Sequence, residues 1–197
     1  MKVLILFAHP AFHKSHTNKI LIKGLAEMEG VTFHDLYEKY PDFDIDVEHE
    51  QGLMEQHDCI VFHHPFFWYS TPAILKEYQD LVLEHGWAYG SKGIALKDKL
   101  FFNVVTTGGP RQGYNKGSFH NHTILELLAP IRQSANLCKM KNIPPFIVHG
   151  THALEKEKVE NYRKQYFEIL ELIVSDKFDV AKAETMDYLN DYLKLED

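Results

Sequence analysis

Short apolar runs alternate with longer stretches of helical periodicity along this chain. "KVLILFA" (2–8) is nearly continuous and rich in β-branched residues, the pattern of a strand covered on both faces in a parallel sheet. "VTFHDLY" (31–37), "DCIVFHHP" (58–65), "LFFNVVT" (100–106) and "PFIVHG" (145–150) repeat it, each closed by a breaker or a polar residue. Helical patterns lie between them at about 17–29, 48–57, 72–86 and 121–139, with a last long one at 154–175. Five strands alternating with helices predict a doubly wound α/β sheet. Right-handed crossovers then gather the loops after the first, third and fourth strands at the carboxyl edge, where such sheets bind ligands.

Composition narrows the function classes. The 197 residues are 45% apolar and 25% charged, enough for one domain with a sizeable core. A net charge of −7 offers no basic face for phosphates, so nucleic acid is not an expected partner. The run "VLILFA" meets His9 and Pro10 at once, too short for a signal segment or a membrane span, so a cytoplasmic protein is expected. Cys59 and Cys138 lack a short-range pairing motif and read as small buried hydrophobes. Any redox chemistry must come from a cofactor. The tail 177–197 is amphipathic and acidic, suited to packing back on the domain or on a second subunit.

The loop after the first strand, "AHPAFHKSHTN", places Ser15, His16, Thr17 and Asn18 in the first turn of a helix. These residues cap helices, and free backbone N–H groups there also bind anions. The loop contains no glycine, so neither the dinucleotide fingerprint nor the P-loop fits, and a single terminal phosphate is the remaining anionic ligand. His9, at the strand end, is placed to donate a charge-assisted hydrogen bond to it.

The third-strand loop, "HHPFFWYSTP", strings together Phe66, Phe67, Trp68 and Tyr69, more aromatics than one helix face or one core position accepts. They suit a planar ring ligand or a subunit interface. Trp87 and Tyr89, in "HGWAYG" (85–90), are expected on the same wall. A metal hydrolase built on His63, His64, His120, His122, His149 and His152 finds no carboxylate at ligand-like spacing.

With these two loops and "TTGGPRQGYNKGSFH" (106–120) in order, the chain resembles the flavodoxin-like NAD(P)H quinone oxidoreductases over about residues 1–175. "YPDFDIDVEHEQ" and "HGWAYG" look closest to the ancillary subunits of glutathione-gated potassium-efflux systems. The resemblance implies a five-stranded parallel sheet of order 2-1-3-4-5, helices on both faces, an FMN-binding domain over 1–175 and a helical extension over 176–197. It assigns the flavin phosphate to His9, Ser15, His16, Thr17 and Asn18, and the ring to Phe66, Phe67, Trp68, Tyr69, Thr106, Thr107, Gly108 and Gly109. The spacing T-T-G-G-x4-Y-x5-H resembles that of the DT-diaphorase group and implies that Tyr114 and His120 assist hydride transfer, as donors toward charge developing on the flavin. The chain lacks the C-terminal region that holds an adenine dinucleotide in longer relatives, which favours FMN over FAD. The implied activity is ping-pong transfer of two electrons from NADH or NADPH through FMN to a quinone or similar electrophile, in a homodimer. The alternative is a regulatory flavoprotein that activates a potassium-efflux antiporter at the inner face of the membrane.

Overall fold

The computed structural model describes residues 1–193. Strand β1 (Val3–Phe7) is buried at every position and pairs in parallel with β2 (Val31–Asp35) on one side and β3 (Cys59–Pro65) on the other. Strand β4 (Leu100–Thr106) continues the sheet beside β3, matching Cys59 to Leu100 and Pro65 to Thr106. The fifth position is split into β5 (Lys141–Asn142) and β6 (Phe146–Val148), both paired to β4. Pro144 and Pro145 lie between them, and their missing N–H groups interrupt the ladder. The order β2-β1-β3-β4 followed by this broken strand is the expected 2-1-3-4-5.

The intervening helices form two layers. One core collects Met54 of α3 (Val47–Glu55), Leu75 and Tyr78 of α4 (Ala73–Val82), and Ile131 of α6 (Ala129–Leu137) against Leu4, Ile60 and Phe101. The other packs Leu21 of α1 (His16–Leu21) and Tyr166, Ile169 and Leu170 of α7 (Lys156–Val174) against Ile5, Val61 and Phe102. Alternate residues of each strand thus feed opposite cores, as a doubly covered parallel sheet requires. Cys59 and Cys138 are free and buried.

Several boundaries depart from the periodicity. The pattern over 17–29 continues past the helix, which stops at Leu21; Gly24 follows at φ +94°, and Arg163 of α7 donates from Nε to the Lys23 carbonyl (2.8 Å). The strand expected to reach 37 ends at Asp35, whose carboxylate caps the short α2 (Leu36–Lys39). The stretch 121–139 divides into α5 (Ile124–Leu127), opened by a Thr123–Glu126 capping box, and α6, with Pro130 in its first turn.

Beyond α7 the chain forms α8 (Val180–Glu184) and a 3-10 turn (Leu189–Asp191). The Asn190 side chain donates to the Ile147 carbonyl (3.0 Å) and accepts from the Ile147 N–H (2.8 Å), covering the exposed edge of β6. Leu189 and Tyr192 bury themselves on the α7 side. Of the expected extension, residues 194–197 lie outside the described residues. Among the described residues no helix is long and apolar enough to cross a membrane.

Candidate functional site

The carboxyl ends of β1, β3 and β4 open into a two-part cleft. Its larger part, about 500 Å³, runs from the His9 to Asn18 loop to Phe66, Phe67, Thr106 and Gly108. Its smaller part, about 210 Å³, lies between Trp68, Tyr69, Thr107, Gly109, Tyr114 and His120. Phe66 and Gly108 line both parts, so the two are contiguous. Every side chain assigned to phosphate, ring or catalysis from the sequence therefore lines one cleft.

At the polar end Ser15 caps α1, its Oγ accepting from the Asn18 N–H (3.1 Å). The first turn leaves the N–H groups of His16 and Thr17 without intrahelical acceptors. The Asn18 amide serves the protein itself: Nδ2 donates to Ser15 Oγ and Thr106 Oγ1 (both 3.1 Å), and Oδ1 faces His63 Nε2 at 3.1 Å. Asn18 ties this loop to β3 and β4. Burial lowers the pKa of His9, whose Nδ1 accepts from the Ala11 N–H (3.2 Å), so a neutral ring keeps its proton on Nε2. Lys14, Thr151 and His152 also line this part and were missed from the sequence. The last two follow the fifth strand at the same carboxyl edge, where strand alternation gathers the ligand-binding loops.

The aromatic loop is conformationally special. Trp68 (φ 49°) and Tyr69 (φ 63°) are consecutive left-handed residues between Phe67 and Ser70, and the Ser70 N–H closes the turn on the Phe67 carbonyl (3.0 Å). Such a conformation in bulky residues costs on the order of 1–3 kcal/mol each and concentrates at functional sites. Phe66 is buried in the core, whereas Trp68 is 94% exposed at the mouth of the cleft.

The glycine stretch forms the facing wall. The Thr107 N–H donates to the Val148 carbonyl (2.9 Å), and the Thr151 and Gly150 N–H groups donate to the Thr107 and Gly109 carbonyls (3.0 and 2.9 Å). These bonds clamp it to the loop after β6. Gly108 and Gly109 leave room for two histidines: a Cβ at Gly108 would stand 2.3 Å from His152 Nε2, and one at Gly109 2.6 Å from His120 Nε2, so either ring would have to shift. The Tyr114 hydroxyl pairs with Thr107 Oγ1, and its ring stacks on His120 with centroids 4.0 Å apart. His120 Nδ1 lies 3.3 Å from the Tyr69 hydroxyl. Burial raises the Tyr114 pKa, keeping the phenol protonated and able to donate.

Trp87 and Tyr89 do not join this wall. The crossover through α4 returns the chain to the amino edge before residues 85–90, where Trp87 Nε1 donates to Glu55 Oε1 (2.7 Å) at the end of α3. The physical reason is topological: a segment that follows a crossover helix lies at the opposite edge from the strand end that preceded it.

A long cleft with N–H donors at one end and aromatic rings at the other fits a molecule carrying an anion and a planar ring. Comparison with known proteins points the same way. A family model described as flavodoxin-like fold matches residues 1–170. The glutathione-regulated potassium-efflux system ancillary protein KefG of Serratia proteamaculans (strain 568) is 41% identical over 165 residues, covering 84% of this chain and 90% of that protein. The crystal structure of general stress protein 14 from Treponema denticola in complex with FMN is 35% identical with a TM-score of 0.83, covering 88% of this chain and 99% of that one. An NADPH-quinone reductase from P. pentosaceus superposes with a TM-score of 0.77 at 34% identity, over 84% of this chain and 95% of that one.

Proposed function

The chain belongs to the flavodoxin-like fold family, and from that premise we propose that it is an FMN-dependent NAD(P)H:quinone oxidoreductase. The observation that carries this reading is the single cleft joining the α1 donors to the Tyr114–His120 stack. FMN, when bound, supplies two-electron transfer from a pyridine nucleotide to a quinone or similar electrophile. The His16 and Thr17 N–H groups, the His9 Nε2–H and the Lys14 ammonium would hold the phosphate. Phe66, Phe67, Trp68, Tyr69, Thr106, Thr107, Gly108 and Gly109 frame the ring.

Tyr114 would act as a hydrogen-bond donor to the edge of a ring held beside it. Thr107 Oγ1 already accepts from the Gly109 N–H (3.3 Å), and when its own proton goes to the phenol oxygen the Tyr114 proton is free to point into the cleft. His120, stacked on Tyr114 and paired with Tyr69, holds the second proton position beside it. The aromatic loop excludes water from the ring end. Exposed Trp68 and Phe119 beside that end suit a homodimer whose sites lie at the subunit boundary.

The test is an absorbance spectrum of the purified protein, followed by anaerobic addition of NADH or NADPH. A yellow protein bleached by the nucleotide and reoxidised by a quinone is expected; a colourless protein that takes up no added FMN overturns the reading.

The identity to KefG favours a second role, as a cytoplasmic flavoprotein that binds a potassium-efflux antiporter at the inner face of the membrane. Co-expression with such an antiporter separates the two: efflux that depends on this chain, with Tyr114→Phe as active as the parent, assigns the regulatory role independently of turnover.

A further inference from the structure

A second cavity of about 440 Å³ lies behind the loop after β6, on the far side of Tyr114 from the cleft. Its floor is His149, its walls are Tyr162 of α7 and Tyr188 of the C-terminal segment, and Arg111 and Lys158 stand at its rim. Tyr188, Asn190 and Asp191 lie beyond the family match, which ends at 170, so one wall comes from outside the matched region.

Three features define the occupant. Arg111 lies over the Tyr188 ring (4.9 Å) and leaves its guanidinium edge to a ligand. Arg111 and Lys158 against Asp191 leave one net positive charge, which matches a monoanion better than a dianion. His149 has both ring nitrogens buried, on the side of the Gly109 backbone, and burial, helped by the Arg111 charge, pushes its pKa down to about 4, so at neutral pH it adds no charge to the cavity. The flanking tyrosines and the volume suit one or two aromatic rings.

We propose that this cavity binds an aromatic monocarboxylate, its carboxylate held by Arg111 and Lys158 and its ring between Tyr162 and Tyr188. The proposal does not depend on the flavin reading, because the cavity shares none of its lining with the cleft. Isothermal titration of the full-length protein as purified, with 6-hydroxy-2-naphthoate as the probe, tests it. Losing the charge, as in 2-naphthol, is expected to weaken binding at least about tenfold, and Lys158→Ala or Arg111→Ala to weaken the naphthoate similarly. The exposed Lys158→Glu variant is expected to abolish naphthoate binding with an unchanged melting temperature. No binding overturns the proposal, as does binding that persists in Lys158→Glu or is lost when a quinone fills the cleft.

Discussion

The imidazole of His120 lies flat on the phenol of Tyr114, 11° from parallel, while the Tyr114 hydroxyl is held from below by Thr107. The two side chains assigned to proton handling therefore pack as one unit. Separate loss of either partner tests that unit.

Tyr114→Phe keeps the ring stack and removes only the hydroxyl. Stopped-flow measurement of flavin reduction is expected to show a fall of about 10²-fold, the usual loss for one preorganised donor, with FMN retention unchanged. An unchanged reduction rate would remove Tyr114 from the chemistry.

Gly109→Ala forces a methyl to within 2.6 Å of His120 Nε2 and 3.0 Å of the Tyr114 ring. The stack must open, so reduction slows at least as much as in Tyr114→Phe. Circular dichroism and the melting temperature check that the fold is retained.

Trp68→Gly relieves a left-handed tryptophan but deletes the most exposed ring at the cleft mouth. Stability is expected to stay level or rise by up to about 1 kcal/mol, while FMN is held more weakly, by about tenfold. Urea unfolding and flavin titration read the two effects separately.

Asn18→Ala strands Thr106 Oγ1 and His63 Nε2 inside the protein. A loss of about 2–4 kcal/mol is expected, measured by urea unfolding at pH 7.

Acid should weaken the fold before carboxylates titrate. Burial lowers the pKa of His63 to about 3 and of His64 to about 4. The unfolded chain binds protons at these rings from about pH 6.5 downward while the native state does not, so stability is full above that pH and is lost as pH falls toward 4. At pH 5 the loss is up to about 2 kcal/mol per histidine, read from unfolding midpoints between pH 7 and 5.

Much of this was legible in the chain. The runs "KVLILFA" and "LFFNVVT" read as strands covered on both faces, their alternation with helices implied a doubly wound sheet and its ligand edge, and the family resemblance supplied the strand order. The resemblance carried by the spacing from Thr106 to His120 assigned Tyr114 and His120 to the ring end, and both line that part of the cleft with Gly108 and Gly109. Local chemistry also marked Ser15 as a cap.

Tertiary structure decided what spacing could not. Trp87 and Tyr89 share the composition of the cleft wall yet sit at the opposite edge, because a crossover helix reverses the chain. Asn18 reads as a ligand donor in sequence, but residues 45 and 88 positions away claim its amide. The cavity behind His149 needs α7, the loop after β6 and the C-terminal segment at once, and no local pattern carries that convergence. Patterning determines which faces are buried; long-range packing determines which polar groups remain free to meet a ligand.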